Sequence, residues 1–300
     1  MRTSIIDIGT KSIKHYIFEG KKEVFFRRES SIKIGEDVLK TNLLDEKGIT
    51  RALDYIKGCL DINNKEGVST TKIIGTDALR KAENSSHFID KLKEETDIDI
   101  RIITHEEEGK LLGKAYAGLV DGDFAAANVG GGSTEVIVFK NNEMKHFLLP
   151  LGVNKINQEF LKESYEQDDF NNKEAWGNAQ EFLRKQVDAV FNSHPDLKVD
   201  SIFLTGVLAF TLKQKELTRA DFEESDVKEH PIKFSVQKYK EYKEGLKDIG
   251  VKNLAANYPV DPGYANNFVI GLEVYSSIVD RLDSKIIYPD EIQYVHGLIE

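Results

Sequence analysis

The sequence is short of the residues that mark several common classes of protein. It has one cysteine, Cys59, in 300 residues, so no disulfide can form within the chain and a reducing compartment is expected. It contains no CxxC or HExxH pattern, and its seven histidines do not cluster at the spacing of metal ligands. Cys59 lies in a helical pattern and is predicted to be a packed core thiol.

Long apolar runs and an excess of positive charge are also missing. No apolar stretch approaches the ~18 residues of a membrane span, and the first residues lack the layout of a signal peptide, so we predict a cytoplasmic protein. Acidic residues outnumber basic ones by 51 to 41, a net charge of −10, which argues against a nucleic-acid-binding protein. A chain of this length suits two domains.

The most informative stretch is 125–139, which reads AAANVGGGSTEVIVF. Two strand-like runs flank three consecutive glycines, and such a loop exposes backbone N–H groups that can approach a phosphate closely. It matches neither the dinucleotide fingerprint nor the P-loop, because position 135 is Glu and no lysine follows the glycines. A β-hairpin in which the glycines serve geometry alone is the competing interpretation.

A second loop resembles the first. Residues 5–13 read IIDIGTKSI, and Asp7-Ile8-Gly9 lines up with Asn128-Val129-Gly130. Two related phosphate loops, each opening a domain, predict an internally duplicated α/β protein that grips phosphates from both sides of an interdomain cleft.

The rest of the pattern predicts mixed sheets flanked by helices. Three antiparallel strands are expected at 3–8, 13–18 and 22–28, and residues 30–36 are expected to form a further strand that ends in a turn. Asn84 is predicted to cap a helix that starts at Ser85, and a last helix is predicted at 290–299. We place the domain boundary in the polar break at 118–123, which gives an N-terminal domain of residues 1–122 and a C-terminal domain of residues 123–300.

Five blocks in register resemble the exopolyphosphatase/guanosine pentaphosphatase (Ppx/GppA) family: IIDIGTKSI, IIGTDALRKAEN, THEEEGKLLGKAYAG, NVGGGSTEV and LPLGVNKI. The resemblance implies a two-domain actin-like (ribonuclease H-like) ATPase fold. It also implies release of terminal orthophosphate from inorganic polyphosphate, by attack of water assisted by Mg²⁺ or another divalent cation. Guanosine pentaphosphate (pppGpp) is the alternative substrate, and whether the chain forms a homodimer stays open.

The resemblance also implies roles for particular residues. Glu108 falls at the position of the catalytic base, although Glu106, Glu107 and Glu108 also suit a helix N-terminus. Arg80 matches a phosphate-binding arginine, and a surface helix arginine is its alternative. Further hydrogen-bond donors to phosphate are expected from the two loops, namely Thr10, Lys11, Ser12, Gly131, Gly132, Ser133 and Thr134. Lys14 and Lys33 are interpreted as solvated surface lysines, with a contribution to the charge of the cleft as the alternative.

Metal binding is where the chain departs from the family it resembles. Asp7, Asn128 and Glu135 are the predicted metal site, and Glu108 is a further candidate ligand, because Mg²⁺ prefers oxygen ligands. Position 128 is usually Asp in the family, and the amide of Asn128 supplies no charge. The second half also lacks several of the family's charged residues. A catalytically weak sensor that binds polyphosphate or a nucleotide is therefore the third hypothesis.

Overall fold

Close contacts divide the chain into two compact units. Unit 1 comprises Met1–Leu111 with Val295–Glu300, and unit 2 comprises Leu112–Tyr294. The computed structural model describes residues 1–29, 32–116, 122–166, 172–205, 223–224, 232–249, 262–290 and 292–299. Most of the break in which we placed the domain boundary lies outside the described residues, so that boundary stays a prediction.

Unit 1 is built on a five-stranded sheet of order β3-β2-β1-β4-β5. The first two pairs are antiparallel, and β4 and β5 run parallel to β1. The elements are β1 Arg2–Ile8, β2 Ile13–Glu19, β3 Lys22–Glu29, α1 Val38–Thr41, α2 Glu46–Lys65, β4 Val68–Gly75, α3 Asp77–Lys81, α4 Ser85–Thr96, β5 Ile100–Ile102 and α5 His105–Tyr116, which runs on into unit 2.

Unit 2 is built on a seven-stranded sheet of order β10-β11-β12-β9-β6-β7-β8. Its elements are β6 Phe124–Val129, β7 Thr134–Lys140, β8 Glu143–Leu149, α6 Val153–Ile156, a π-helix Asn157–Leu161, α7 Lys162–Glu166, α8 Lys173–Phe191, β9 Ser201–Thr205, β10 Glu223–Glu224, β11 Ile232–Ser235, α9 Val236–Ile249, α10 Pro262–Arg281, β12 Ile286–Asp290 and a 3₁₀ turn Tyr294–Leu298, most of which belongs to unit 1.

The two sheets share one topology, which agrees with the predicted duplication. In unit 2 the antiparallel hairpin β6–β7–β8 is followed by β9 and β12, both parallel to β6. The order β8-β7-β6-β9-β12 therefore repeats β3-β2-β1-β4-β5. The predicted class, two mixed sheets flanked by helices, is confirmed.

Each unit has its own apolar core. In unit 1, α2 buries Ile49, Leu53 and Ile56 against the isoleucines of β1 and β2, as their helical spacing predicts. In unit 2, Trp176 and Leu183 of α8 pack in the core that also contains α10. None of the helices among the described residues is long and apolar enough to cross a membrane.

Several local predictions are wrong. Of the predicted strand at 30–36, residues 30 and 31 lie outside the described residues, 32 and 33 are irregular, and only the turn, at 34–37, is found. Residues 292–299 contain only a 3₁₀ turn. Asn84 makes no side-chain cap to α4. Its Oδ1 accepts from Leu44 N at 2.8 Å and its Nδ2 donates to Leu44 O at 3.0 Å. Two hydrogen bonds to one residue replace the single bond of a cap, and they fix the segment before α2.

Unit 1 also encloses polar and sulfur groups behind its first hairpin. His15 Nε2 lies 2.8 Å from Asn63 Oδ1 and 3.1 Å from Ser4 Oγ. Its Nδ1 is buried, with no hydrogen-bond partner among the described residues. Burial lowers the pKa of His15 and raises the pKa of the Cys59 thiol to about 12. Cys59 is therefore the packed thiol that the sequence predicted.

Residues 295–299 complete unit 1. The His296 ring packs edge-on against Phe18, with centroids 5.3 Å apart, and Lys72 Nζ donates to Leu298 O at 3.0 Å. A Cβ built on Gly297 would lie 2.1 Å from Leu111 O, so only glycine lets the two backbones approach so closely. The sheet of unit 1 is thus covered by residues distant in sequence.

Candidate functional site

Residues 9–12 join β1 to β2 and form the first predicted phosphate loop. Gly9 N donates to Ser12 O at 3.0 Å, and Gly35 N donates to Thr10 O at 2.9 Å. Ser12 is buried, whereas Thr10 and Lys11 are half-buried. The turn is therefore closed on itself and supported from outside by Gly35.

Residues 130–133 join β6 to β7 and repeat this geometry. Gly130 N donates to Ser133 O at 2.9 Å, the same turn as in the first loop. Val153 N donates to Gly130 O at 3.1 Å and Asn154 N donates to Gly131 O at 3.0 Å. Because C=O and N–H point in opposite directions in a trans peptide unit, this contact with α6 directs the N–H groups that follow those carbonyls away from the helix.

The loop glycines are not explained by turn conformation. Gly9, Gly130 and Gly131 do not adopt the left-handed φ that favours glycine, whereas Asn141 and Asn142 at the β7–β8 turn do, with φ of 54° and 63°. The glycines instead accompany close packing, since a Cβ on Gly131 would lie 3.0 Å from Asn154 Nδ2. The loop does join a hairpin, and Gly131 meets a packing requirement there, so the hairpin interpretation and the phosphate-loop prediction both stay predictions.

Asp7 sits at the end of β1, opposite Lys14 of β2. Lys14 Nζ lies 3.3 Å from Asp7 Oδ2, so Lys14 is an ion-pair partner and not the solvated surface lysine we expected. Asp7 is 1% exposed, and its Oδ1 is buried with no hydrogen-bond partner among the described residues. Lys33, by contrast, is exposed and pairs with Glu36, as interpreted.

Asn128 and Glu135 occupy the corresponding places in unit 2. They face each other across β6 and β7, and Ser133 Oγ donates to Glu135 Oε1 at 2.9 Å. Glu135 is buried and Asn128 is half-buried. The Thr134 hydroxyl, which we predicted to bind phosphate, is fully buried and donates to Leu151 O at 2.9 Å, a contact that ties β7 to the segment before α6.

The three glutamates at the start of α5 differ in their contacts. Glu107 completes a capping box, because its Oε2 accepts from Thr104 N at 2.9 Å while Thr104 Oγ1 accepts from Glu107 N at 3.1 Å. The Thr104 N–H and, secondly, Arg101 lower the pKa of Glu107. Glu106 is exposed and pairs with Lys110. Glu108 alone is buried, at 5% exposure.

Glu108 forms an ion pair with Arg80. Both lie where helices begin at the carboxyl ends of neighbouring parallel strands, since Gly75 of β4 is in register with Ile102 of β5. Arg80 Nη1 also donates to Ile103 O at 2.5 Å, and its Nη2 lies near His105. Arg80 is thus not a surface arginine, with its side chain 14% exposed. Glu108 is buried and also lies in the first turn of α5, so the helix-start alternative is still open for it.

Three participants were not found from the sequence. His105 contacts Arg80, Asp77 Oδ1 lies 3.9 Å from Arg80 Nη2, and Gly152 packs against the second loop with its hypothetical Cβ 2.3 Å from Gly130 O. The capping box at 104–107 was a usable signal for His105, because it makes His105 the first residue of the helix. The contacts of Asp77 and Gly152 depend on elements that meet only in the fold.

Comparison with known proteins identifies the family. A model described as the Ppx/GppA phosphatase family matches residues 16–224, which is more than half of the chain. The chain is a member of the Ppx/GppA phosphatase family. The family predicted from the five sequence blocks is therefore confirmed.

Individual Ppx/GppA relatives are distant. A bifunctional 3-dehydroquinate synthase/phosphatase of Fusobacterium nucleatum is 32% identical over 171 residues, covering 52% of this chain and 26% of that protein. Exopolyphosphatase 1 of Mycobacterium bovis is 23% identical over 169 residues, covering 54% of this chain and 49% of that protein. The matched region thus spans between about a quarter and a half of these curated relatives.

A solved structure supports the fold over nearly the whole chain. A Ppx/GppA family member of Aquifex aeolicus superposes with a TM-score of 0.80 at 23% identity, covering 99% of this chain and 96% of that chain. At this identity the similarity supports the fold alone. It agrees with the two mixed, helix-flanked sheets described above.

Proposed function

We propose that this protein is a phosphoanhydride hydrolase that releases terminal orthophosphate from inorganic polyphosphate. Membership of a phosphatase family supports hydrolysis. The observation that carries the proposal is the pair of matching loops, Gly9–Ser12 and Gly130–Ser133, each closed by the same backbone hydrogen bond. Backbone amides and hydroxyl groups in such loops suit the oxygens of a phosphate chain.

We assign to Glu108 the role of orienting the attacking water. A carboxylate can orient water or accept its proton, and Glu108 is the one buried glutamate of the three at the start of α5. The pair with Arg80 restricts the orientation of this carboxylate. Arg80 then acts on the reaction partly through Glu108, in addition to the anchoring role that the sequence suggested.

The residues present suit a divalent cation. Asp7 provides a buried carboxylate oxygen without a hydrogen-bond partner among the described residues, and a hard ion such as Mg²⁺ binds such oxygens. Glu135 supplies a second buried carboxylate and Asn128 an amide oxygen opposite it. A bound cation would neutralise charge on the phosphate oxygens. In unit 1 the candidate ligand is Asp7, and in unit 2 it is Glu135, with Asn128 as a weaker ligand.

The choice between polyphosphate and pppGpp depends on recognition of a nucleoside. Both substrates present the same terminal phosphoanhydride, and the two loops suit either. Recognition of a nucleoside would rest on the second half of the chain, which lacks several of the charged residues usual in the family. The segment at 206–222 lies outside the described residues. We therefore rank polyphosphate first and pppGpp second.

A binding protein with little or no turnover is a second candidate. Two of the proposed catalytic carboxylates are already paired with cations, Asp7 with Lys14 and Glu108 with Arg80. Such pairs oppose metal binding at one carboxylate and proton acceptance at the other. In this case the loops would still bind a phosphate chain, and the protein would act as a sensor.

The test is phosphate release from polyphosphate, pppGpp and ATP, each with and without Mg²⁺. Glu108→Gln should lower kcat by ~10²-fold or more, the scale of general-base loss, and should leave binding of tripolyphosphate intact. Glu106→Gln is the matched control, because Glu106 is an exposed neighbour on the same helix, and it should behave like the natural protein.

Each outcome decides between the candidates. Release from polyphosphate in preference to pppGpp supports the first ranking, and the reverse preference supports the pppGpp alternative. Tripolyphosphate binding with no release from any substrate supports the sensor. Normal turnover of the Glu108→Gln enzyme would remove Glu108 from the mechanism, and absence of both binding and release would refute the function as a whole.

A further inference from the structure

His105 makes a face-on contact with the Arg80 guanidinium. Arg80 Nη2 lies 3.1 Å from His105 Nδ1 and 3.2 Å from Nε2. A nitrogen that is almost equally close to both ring nitrogens cannot approach in the plane of the ring, because it would collide with the carbon between them. Nη2 must therefore lie over the face of the imidazole. Its N–H points towards the ring nitrogens, so the guanidinium meets the ring through its Nη2 edge and is not stacked parallel to it.

The position of His105 is fixed by its neighbours along the chain. The capping box of Thr104 and Glu107 encloses His105 and defines the first turn of α5. The Ile103 carbonyl, two residues earlier, accepts from Arg80 Nη1 at 2.5 Å. Residues 103–108 thus present a carbonyl, a ring and a carboxylate to one guanidinium.

Each nitrogen of Arg80 has a distinct environment. Nη1 donates to Ile103 O and to Glu108 Oε1, and Nη2 lies over His105 and 3.9 Å from Asp77 Oδ1. Nε is buried, with no hydrogen-bond partner among the described residues. The carbonyl and carboxylate hold the Nη1 edge of the guanidinium, and the ring of His105 lies against Nη2.

We infer that His105 is a positioning residue, which holds the Nη2 edge of the Arg80 guanidinium and, through Arg80, the carboxylate of Glu108. The expected effect of His105 on turnover rests on the proposed function, whereas its contact with Arg80 does not. The contact of His105 with Arg80 lies within unit 1 and can be measured without any substrate. The side chain of His105 is 26% exposed, so the ring is not a central part of the core.

The direct test is NMR of protein labelled with ¹⁵N-arginine. The Arg80 Nε–H signal is assigned as the one that disappears in Arg80→Lys. It should be displaced by the ring current of His105, and its exchange with water should be slow because Nε is buried. His105→Phe, which keeps a ring face without nitrogen atoms, should preserve slow exchange. His105→Ala should accelerate the exchange about 10-fold or more, since local opening governs it.

Turnover gives the functional arm. His105→Ala should lower kcat about 10-fold with KM within about twofold, because misplacing a catalytic group by about 1 Å can cost ~10²-fold. His105→Phe should recover kcat to within about twofold of the natural protein. A loss of melting temperature common to both variants, with kcat unchanged, would be a merely structural effect and would overturn the inference.

Two other results would overturn it as well. They are an Arg80 signal that is unchanged in His105→Ala, and a His105→Phe variant as impaired as His105→Ala, which would mean that the ring nitrogens matter and the face does not. If the natural protein hydrolyses none of the three substrates, the proposed function fails. The NMR experiment would then still decide whether His105 clamps Arg80.

Discussion

The two predicted phosphate loops have one backbone geometry and different chemistry. Gly9 and Gly130 close the same turn, but the next two positions are Thr10 and Lys11 in the first loop and Gly131 and Gly132 in the second. The first loop offers a hydroxyl and an ammonium group, whereas the second offers bare backbone. Duplication thus preserved the hydrogen-bond frame and allowed the side chains to diverge.

The strands behind the loops differ in the same way. Asp7 faces Lys14 in unit 1, and Asn128 faces Glu135 in unit 2. Each hairpin thus has one carboxylate at this position. In unit 1 it is Asp7 on the first strand, and in unit 2 it is Glu135 on the second strand. The next position is His15 in unit 1 and Val136 in unit 2, and both are fully buried. The divergence of charge therefore extends from the loop into the core.

The largest expected effect comes from the glycines that support the loops. In Gly152→Ala the new Cβ would lie 2.3 Å from Gly130 O and 2.6 Å from Gly131 C. Backbone cannot yield as a flexible side chain can, so we expect a loss of about 3 kcal/mol in the free energy of unfolding. Urea denaturation followed by the fluorescence of Trp176, in unit 2, measures it.

The corresponding change in unit 1 is Gly35→Ala. Its Cβ would lie 2.5 Å from Ala78 Cβ, at the short helix α3, and we expect a smaller loss, of about 2 kcal/mol. Gly177→Ala is the control, since nothing lies within 4 Å of its Cβ, and alanine in the middle of α8 should add up to about 1 kcal/mol. Equal stability of all three variants would refute the idea that the loops are held by close backbone packing.

A medium effect is expected from His15, the buried titratable group of the first hairpin. Burial places its folded-state pKa below the ordinary value of about 6.5, so the unfolded chain binds the proton more readily. Unit 1 should keep its full stability above about pH 6.5 and lose it as the pH falls from there towards the folded-state pKa, by up to about 1.4 kcal/mol per pH unit.

Hydrogen exchange of β1 and β2 amides at pH 7.5 and 5.5 measures this loss in unit 1. His15→Gln can still donate to Asn63 but does not titrate, so its protection should vary less with pH. The amides of β6 and β7, where Val136 replaces the histidine, serve as the internal comparison. A pH dependence equal in His15→Gln and in the natural protein would assign the effect to other groups.

The smallest expected effect is that of Asn128→Asp. Two carboxylates would then face each other across β6 and β7, which should cost about 1 kcal/mol without metal. Mg²⁺ binding to the folded state should restore stability according to RT ln(1 + [Mg²⁺]/Kd), so the rise in melting temperature on adding Mg²⁺ should exceed that of the natural protein.

The matched control for this charge change is Asn142→Asp. Asn142 is exposed at the β7–β8 turn, where an aspartate also tolerates the left-handed conformation, and it should show no added Mg²⁺ response. Tighter Mg²⁺ dependence of phosphate release by Asn128→Asp would agree with the stability result. The same Mg²⁺ response in both variants would place position 128 outside any metal site.

Short-range features of this protein could be predicted from its sequence. Each loop joins two adjacent strands, and register within a hairpin follows from loop length, so the equivalence of Gly9 and Gly130 was visible directly. The ion pair of Asp7 and Lys14 could not be predicted in the same way. These residues are seven apart in sequence, and they become neighbours across the hairpin only because the loop between the strands has four residues.

Longer-range features needed the fold. Arg80 and Glu108 are far apart in sequence, and their contact depends on the pairing of β4 with β5. The motifs indicated that both residues serve the phosphate site, but not that each touches the other. The strand predicted at 30–36 was wrong for a related reason. Ile32 and Ile34 are buried in the core of unit 1 from irregular and turn backbone, and their alternation alone imitates a strand.

The cover that residues 295–299 form over the first sheet has a consequence for biosynthesis. The ribosome makes those residues only after all of unit 2, and at about 5–20 residues per second the intervening stretch takes roughly ten to forty seconds. During that interval Phe18 and the backbone at Leu111 lack the contacts of His296 and Gly297. The first unit can therefore complete its cover only after the whole of unit 2 has been synthesised.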